Sequence, residues 1–166
     1  MISIELLKRY PFFASLNNGQ LKSLADVGKV FEVEEGYRFF EEGDELDTFF
    51  LVDDGRIAIT MEVTDHSVIQ PLSNQLTNSL INKEITVSTL GSGEIFGWSA
   101  IVPPYTSTAS ARAIRMSRIV AFDCTKLRPQ YKEDCHFAYM MLLKASQVIR
   151  QRMRDMRMES LAFIPG

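Results

Sequence analysis

The chain has 166 residues, 46% apolar and 23% charged, with 18 basic and 21 acidic side chains for a formal charge of −3. That length suits one domain, or one domain with a terminal arm, and a sizeable core, and the composition is that of a globular protein, not a disordered or fibrous one. No apolar run approaches the roughly 18–20 residues of a membrane span, and two cysteines are too few for a disulfide framework.

The opening MISIELLKRYPFF lacks the basic, apolar and small-residue segments of a secretory signal, so reduced thiols and a cytoplasmic location are expected. Ile2 to Tyr10 predicts a short amphipathic helix that Pro11 stops. Asn17 or Asn18 then caps a helix with apolar Leu21, Leu24 and Ala25, and Gly28 ends it. From Lys29 the period changes to two. Strands are predicted at Val30–Val33, Tyr37–Phe40, Thr48–Val52 and Arg56–Thr64, separated by turns at Glu35-Gly36, Glu42-Gly43-Asp44 and Asp53-Asp54-Gly55. Asp65 to Lys83, polar and rich in Asn and Ser, reads as a long loop with a fragment of helix near Leu76 to Ile81. Strands resume at Glu84–Leu90, Ala109–Ile114 and Arg118–Asp123. Short strands at this spacing suggest a β-sandwich or barrel.

After Cys124 the helical period returns, as a short turn over Thr125–Tyr131 broken at Pro129, then as a long helix from Cys135 to Ala162. Leu142, Ala145, Ile149, Met153, Met156 and Phe163 form a near-heptad apolar stripe along it. From Phe137 to the end, five basic residues (Lys144, Arg150, Arg152, Arg154, Arg157) and two acidic ones (Asp155, Glu159) leave +3, so the rest of the chain carries −6. An acidic body with a basic arm suits an arm that touches the body, another copy, or an anionic partner.

The most informative stretch is LGSGEIFGWSAIVPPYTSTASARA, Leu90 to Ala113. Its glycines permit close backbone approach, and a short helix starting near Glu94 would offer free N–H groups to a phosphate or carboxylate. Glu94 is either an acceptor for ligand hydroxyls or a capping acid on a solvated helix start. Trp98 either stacks on a ligand or fills the core. The spacing Gly91-x-Gly93-x-x-x-Gly97 lacks the βαβ context of a dinucleotide fingerprint. Two histidines, His66 and His136, are too few and too separated for a metal centre, and Cys135-His136 on one helix point apart. No catalytic residue and no metal site is expected.

FFASLNNGQLKSLA, the ordered glycines Gly36, Gly43 and Gly55, and GSGEIFG resemble the cyclic nucleotide-binding domain family of catabolite activator proteins and protein kinase A regulatory subunits. The resemblance covers roughly Leu7 to Ala162. It implies a mainly β fold: an antiparallel double-stranded β-helix (a jelly-roll-like β-roll) with N-terminal helices, a short phosphate-binding helix at Glu94 to Ile101 and a long C-terminal helix over the pocket. The domain then spans 1–134 and the lid and dimerisation arm 135–166. It further implies ligand contacts from Gly93, Glu94, Ile95, Phe96, Thr106, Ser107 and Thr108, with Glu94 taking the ribose 2′-hydroxyl. The family's phosphate arginine falls on Ser107, and no arginine stands between Arg56 and Arg112. A charge-assisted hydrogen bond contributes about 1.5–3 kcal/mol, so cyclic nucleotide binding should be altered or lost.

The expected function is a non-enzymatic regulatory ligand-sensing module for cyclic AMP, cyclic GMP or another small anionic ligand. The alternative is a ligandless protein–protein scaffold. Homodimerisation through the C-terminal helix and a protein partner are expected. DNA binding by this chain alone is not, because no groove-reading helix pair follows the long helix, and neither is a membrane partner.

Overall fold

The computed structural model describes residues 1–64 and 82–162. The elements are helix α1 (Ile4–Lys8), a 3-10 turn (Pro11–Phe13), α2 (Asn18–Val27), β1 (Gly28–Val33), β2 (Arg38–Phe40), β3 (Thr48–Asp54), β4 (Ile57–Thr64), β5 (Asn82–Leu90), β6 (Ile95–Phe96), a second 3-10 turn (Trp98–Ala100), β7 (Ser110–Ala113), β8 (Ser117–Asp123), α3 (Cys124–Glu133) and α4 (Cys135–Ala162). The predicted loop after Thr64, with its helical fragment near Leu76–Ile81, lies outside the described residues up to Ile81. Asn82 and Lys83 already belong to β5.

The eight strands form two antiparallel four-stranded sheets, ordered β1-β8-β3-β6 and β2-β7-β4-β5. Chain neighbours such as β7 and β8 fall in different sheets, which gives the roll. Aromatic side chains pack both along and between the sheets. Within the first sheet Phe49 stacks on its cross-strand partner Phe122 at 4.6 Å and Phe50 on its partner Phe96 at 4.9 Å, and the Phe39 ring of the second sheet meets Phe96 edge-on. Such pairs add about 0.5–1.5 kcal/mol each beyond the area they bury.

The helices are set by local chemistry. Asn17 and Gln20 form a reciprocal capping box at the start of α2, and the Gln20 amide donates onward to Asp134 at 3.2 Å. Asp134 in turn accepts the Phe137 N–H at 2.9 Å, and that backbone bond, first, holds its carboxyl below the usual range. One side-chain chain therefore ties α2 to the α3–α4 junction. Pro129 lies inside α3 and does not break it, contrary to expectation. It forfeits one backbone bond, while Cys124 and Leu127 are fully buried and Arg128 is anchored to the roll.

Two further expectations need correction. No helix runs from Glu94 to Ile101. Ile95 and Phe96 pair with Leu51 and Phe50 as an edge strand, and only Trp98–Ala100 is helical, as one 3-10 turn. The switch occurs at Gly97, with φ of +69°, where an added Cβ would lie 3.1 Å from both the Thr48 carbonyl and the Phe50 ring. The stripe on α4 is also displaced. Its inward face carries Phe137, Met141, Lys144 and Ala145, all buried, whereas Leu142, Met153 and Met156 are largely exposed. Phe137 and Met141 belong to the same core cluster as the sheets. Among the described residues no helix is long and apolar enough to cross a membrane.

Candidate functional site

Two cavities adjoin where α4 crosses the roll. The first, about 270 Å³, is bounded by Phe40, Ile59, Phe96, Trp98, Ser107 and Met156, among others. The second, about 300 Å³, lies between the first 3-10 turn, the Gly93–Ile95 segment and the α4 face carrying Lys144, Gln147 and Gln151. Arg152, Ile95 and Asp155 border both. A small apolar chamber with a few polar groups is the ordinary form of a ligand pocket.

The predicted residues are divided between these spaces. Phe96, Ser107 and Thr108 face the first, Gly93 and Glu94 the second, and Ile95 both. Thr106 borders neither and bridges to Glu45. The N–H groups expected to be free are engaged. Gly91 N–H donates to Glu94 Oε2 at 2.8 Å, Gly93 N–H to the Val52 carbonyl at 2.8 Å, and Glu94 N–H to the Gly91 carbonyl at 3.2 Å. Glu94 thus closes its own turn, half-exposed, in the way a capping acid would, though on a strand entry and not on a helix.

At the position matching the family's arginine, Ser107 is 5% exposed and its hydroxyl donates back to the Ala109 carbonyl. Arg112 stands in β7, with its Nε 3.8 Å from Glu84 on β5, and does not border the pocket. The cation in the pocket comes instead from α4. Arg152, 19% exposed, donates to Ser88 Oγ at 3.1 Å and to the Ile95 carbonyl at 3.3 Å, with Glu94 Oε1 at 4.0 Å. Burial lowers its pKa, and Glu94 partly opposes this. In the sequence Arg152 is one of five basic residues of the arm, with nothing that singles it out by type. Its sole signal is that it follows Val148 and Ala145 at i+4 and i+7, on the buried face.

Two clamps hold the pocket's margins. Asp53 accepts from both Tyr10 Oη and Arg118 Nε, and its carbonyl accepts from Ser92 Oγ at 2.7 Å. Burial first, then the bond to Asp53, pushes the Tyr10 hydroxyl up to about 12. On the other side Arg128 of α3 pairs with Asp47 at 2.7 Å and donates to the carbonyls of Leu46 and Ala100 at 3.3 and 3.4 Å. Its guanidinium also lies 4.0 Å from the centre of the Tyr105 ring. Trp98 lines the first cavity.

Among the described residues no group of His, Cys, Asp and Glu could hold a metal ion. Cys124 is buried, its thiol pushed up to about 12 by that burial, and Cys135 is exposed. Neither borders the cavities.

Comparison with known proteins agrees with the fold. Residues 30–134 match the family model of the cyclic nucleotide-binding domain. The chain is 27% identical over 109 residues to the cAMP-dependent protein kinase type II regulatory subunit of Drosophila melanogaster, covering 66% of this chain and 24% of that protein. It therefore spans about a quarter of that subunit's length. Among solved structures it is similar to a protein from Geobacter metallireducens GS-15 assigned to the cyclic nucleotide-binding class (TM-score 0.73, 25% identity, 92% of this chain and 99% of that one). The Thermus thermophilus catabolite activator protein shares the fold (TM-score 0.62, 20% identity, 92% and 63%).

Proposed function

The chain belongs to the cyclic nucleotide-binding domain family, and on that premise we propose that it is a non-enzymatic ligand sensor with altered cyclic nucleotide binding. Members of this family are regulatory modules and not catalysts. The observation that carries the reading is the apolar chamber beneath α4, bounded by Phe96, Trp98 and Ser107, with a partly buried cation from α4 and, among the described residues, none from the roll. The arrangement favours a small ligand that is largely apolar over a cyclic nucleotide fixed by a phosphate arginine.

The mechanism is a population shift. A ligand stabilises the placement of α4 it binds best, and only by its difference in affinity between placements. α4 is connected to the roll through Arg152, which donates to Ser88 and the Ile95 carbonyl, and α3 through Arg128, which reaches the Ala100 carbonyl and Tyr105. Exposed Leu142, Met153 and Met158 on α4 support a homodimer seam or a protein partner there. Calorimetry and thermal melting with cyclic AMP, cyclic GMP and a panel of small organic acids test the reading. At least one compound should give heat and raise the melting temperature by mass action. No heat and no shift from any of them would favour the ligandless scaffold.

A further inference from the structure

We propose that the pocket's anion site is built on α4, where Arg152 and Lys144 take the charge of an organic oxyanion whose apolar body fills the chamber of Phe96 and Trp98. The inference rests on the reading of that chamber as a ligand pocket.

Lys144 is the unexplained group. It is 8% exposed and borders the second cavity, yet among the described residues its ammonium has neither an ion pair nor a hydrogen bond. Its nearest aromatic contact is Phe12, 6.0 Å from the ring centre. Burial lowers its pKa, and no carboxylate acts in the opposite sense. The side chain's stem is buried while its ammonium opens onto the second cavity with only the Phe12 ring over it, so an anion entering that cavity meets an unpaired charge. The carboxylates bordering the same cavity are committed elsewhere. Glu94 Oε2 accepts from Gly91 N–H, and Asp155 Oδ1 accepts from the Gln151 amide at 2.8 Å.

Arg152 stands between the two cavities and is only partly compensated. Its close acceptors, Ser88 Oγ and the Ile95 carbonyl, are neutral; of the two carboxylates that act on it, Glu94 is at 4.0 Å and half-exposed, and Asp155 is exposed and accepts from Gln151. Lys144 and Arg152 are eight residues apart on one helix face, about 12 Å along the axis at 1.5 Å per residue, with Val148 and Gln151 between them bordering the same cavity. Two long side chains can close on one oxyanion across that span. Among the described residues no other cation borders either cavity.

The ligand class follows from the two halves: an alkyl or aryl carboxylate, or a phosphate ester with a flat apolar group. Because both cations belong to α4, the ligand's charge acts on that helix directly and not through the roll.

The test uses two dyes that differ by one charge: 8-anilinonaphthalene-1-sulfonate and its neutral parent, N-phenyl-1-naphthylamine. The full chain should bind the sulfonate saturably, one per chain, and more tightly than the parent. Arg152→Gln should weaken the sulfonate about ten- to a hundredfold, Lys144→Gln should weaken it as well, and Arg152→Lys should retain most of the affinity. The neutral dye should change by less than about twofold in each variant, which also shows that the chamber has kept its shape. Equal weakening of both dyes, or an unchanged sulfonate affinity, would overturn the role of the cations. Saturable binding of the neutral dye alone would do so while leaving the pocket standing. No saturable binding of either would overturn the pocket and this inference together. Displacement by decanoate or by cyclic AMP distinguishes a carboxylate from a phosphodiester, and displacement by neither would count against the proposal.

Discussion

Replacing Arg128 with alanine tests whether the roll and the helices are joined at the pocket's margin. The ion pair with Asp47 is partly solvated, at 29% and 54% side-chain exposure, so it contributes only about 0.5 kcal/mol. The contact with the Tyr105 ring adds about 0.5 kcal/mol. The two bonds to the Leu46 and Ala100 carbonyls are long, and water can replace them in part, so together they add about 1.5 kcal/mol. Arg128 Nε, buried without an acceptor, offsets a little of this. The sum is about 2 kcal/mol, or a fall of about 4–8 °C in melting temperature for a chain of this size. Arg128→Lys keeps the charge opposite Asp47 but loses the fork and the stacked plane, and should recover about a quarter of the loss. The assay is thermal and urea unfolding followed by far-UV circular dichroism. Arg128→Ala melting within about 1 °C of the wild type would show that this clamp joins nothing.

Gly55 has φ of +113°, and an added Cβ would lie 2.1 Å from Ser117 Oγ and 2.6 Å from its Cα. Gly55→Ala should therefore lose about 2–4 kcal/mol in urea titration, and a loss under about 0.5 kcal/mol would mean the turn relaxes freely. Ser107→Arg should raise cyclic AMP affinity at least about tenfold in calorimetry; no gain would mean the chamber's shape, not its charge, has changed. Leu142→Asp should convert a dimer to a monomer in sedimentation velocity, and a monomeric wild type would refute the seam. Tyr10 and Cys124 both have hydroxyl or thiol pKa values raised to about 12 in the fold. Their contribution is complete below the unfolded values near 10 and 9 and is lost as pH rises toward 12. Stability should fall over that window, less steeply in Tyr10→Phe, and equal slopes would contradict the buried hydroxyl.

The strands were legible because alternation and turn glycines are local signals, and the order of helices and roll followed from them. Asn17 and Gly28 marked both ends of α2 for the same reason. The edge strand Ile95–Phe96 was not legible, since two residues carry no period and their pairing with Leu51 and Phe50 is a tertiary matter. Pro129 misled because its cost of one backbone bond is outweighed by packing on either side. That Ser107 stands where the resemblance places a phosphate arginine was legible only through that resemblance, together with the lack of any arginine between Arg56 and Arg112. The place of Arg152 was hidden, because arginines at 150, 152, 154 and 157 look alike until the helix is placed, and among them Arg152 turns inward to Ser88. Lys144 was concealed in the same way, as one basic residue among five in an arm whose contacts charge alone does not assign.

The central claim is that a ligand in the chamber moves α4. Trp98 is the only tryptophan and lines that chamber, while Met158 is exposed near the far end of α4. Cys124 is buried and Cys135 exposed, so a Cys135→Ser, Met158→Cys chain can carry one acceptor dye. Energy transfer from Trp98 to that dye, titrated with cyclic AMP and with decanoate, reports occupancy and helix placement in one sample. The account predicts that Trp98 emission and transfer efficiency change together along one saturation curve. Trp98 emission that saturates while transfer stays constant would contradict it.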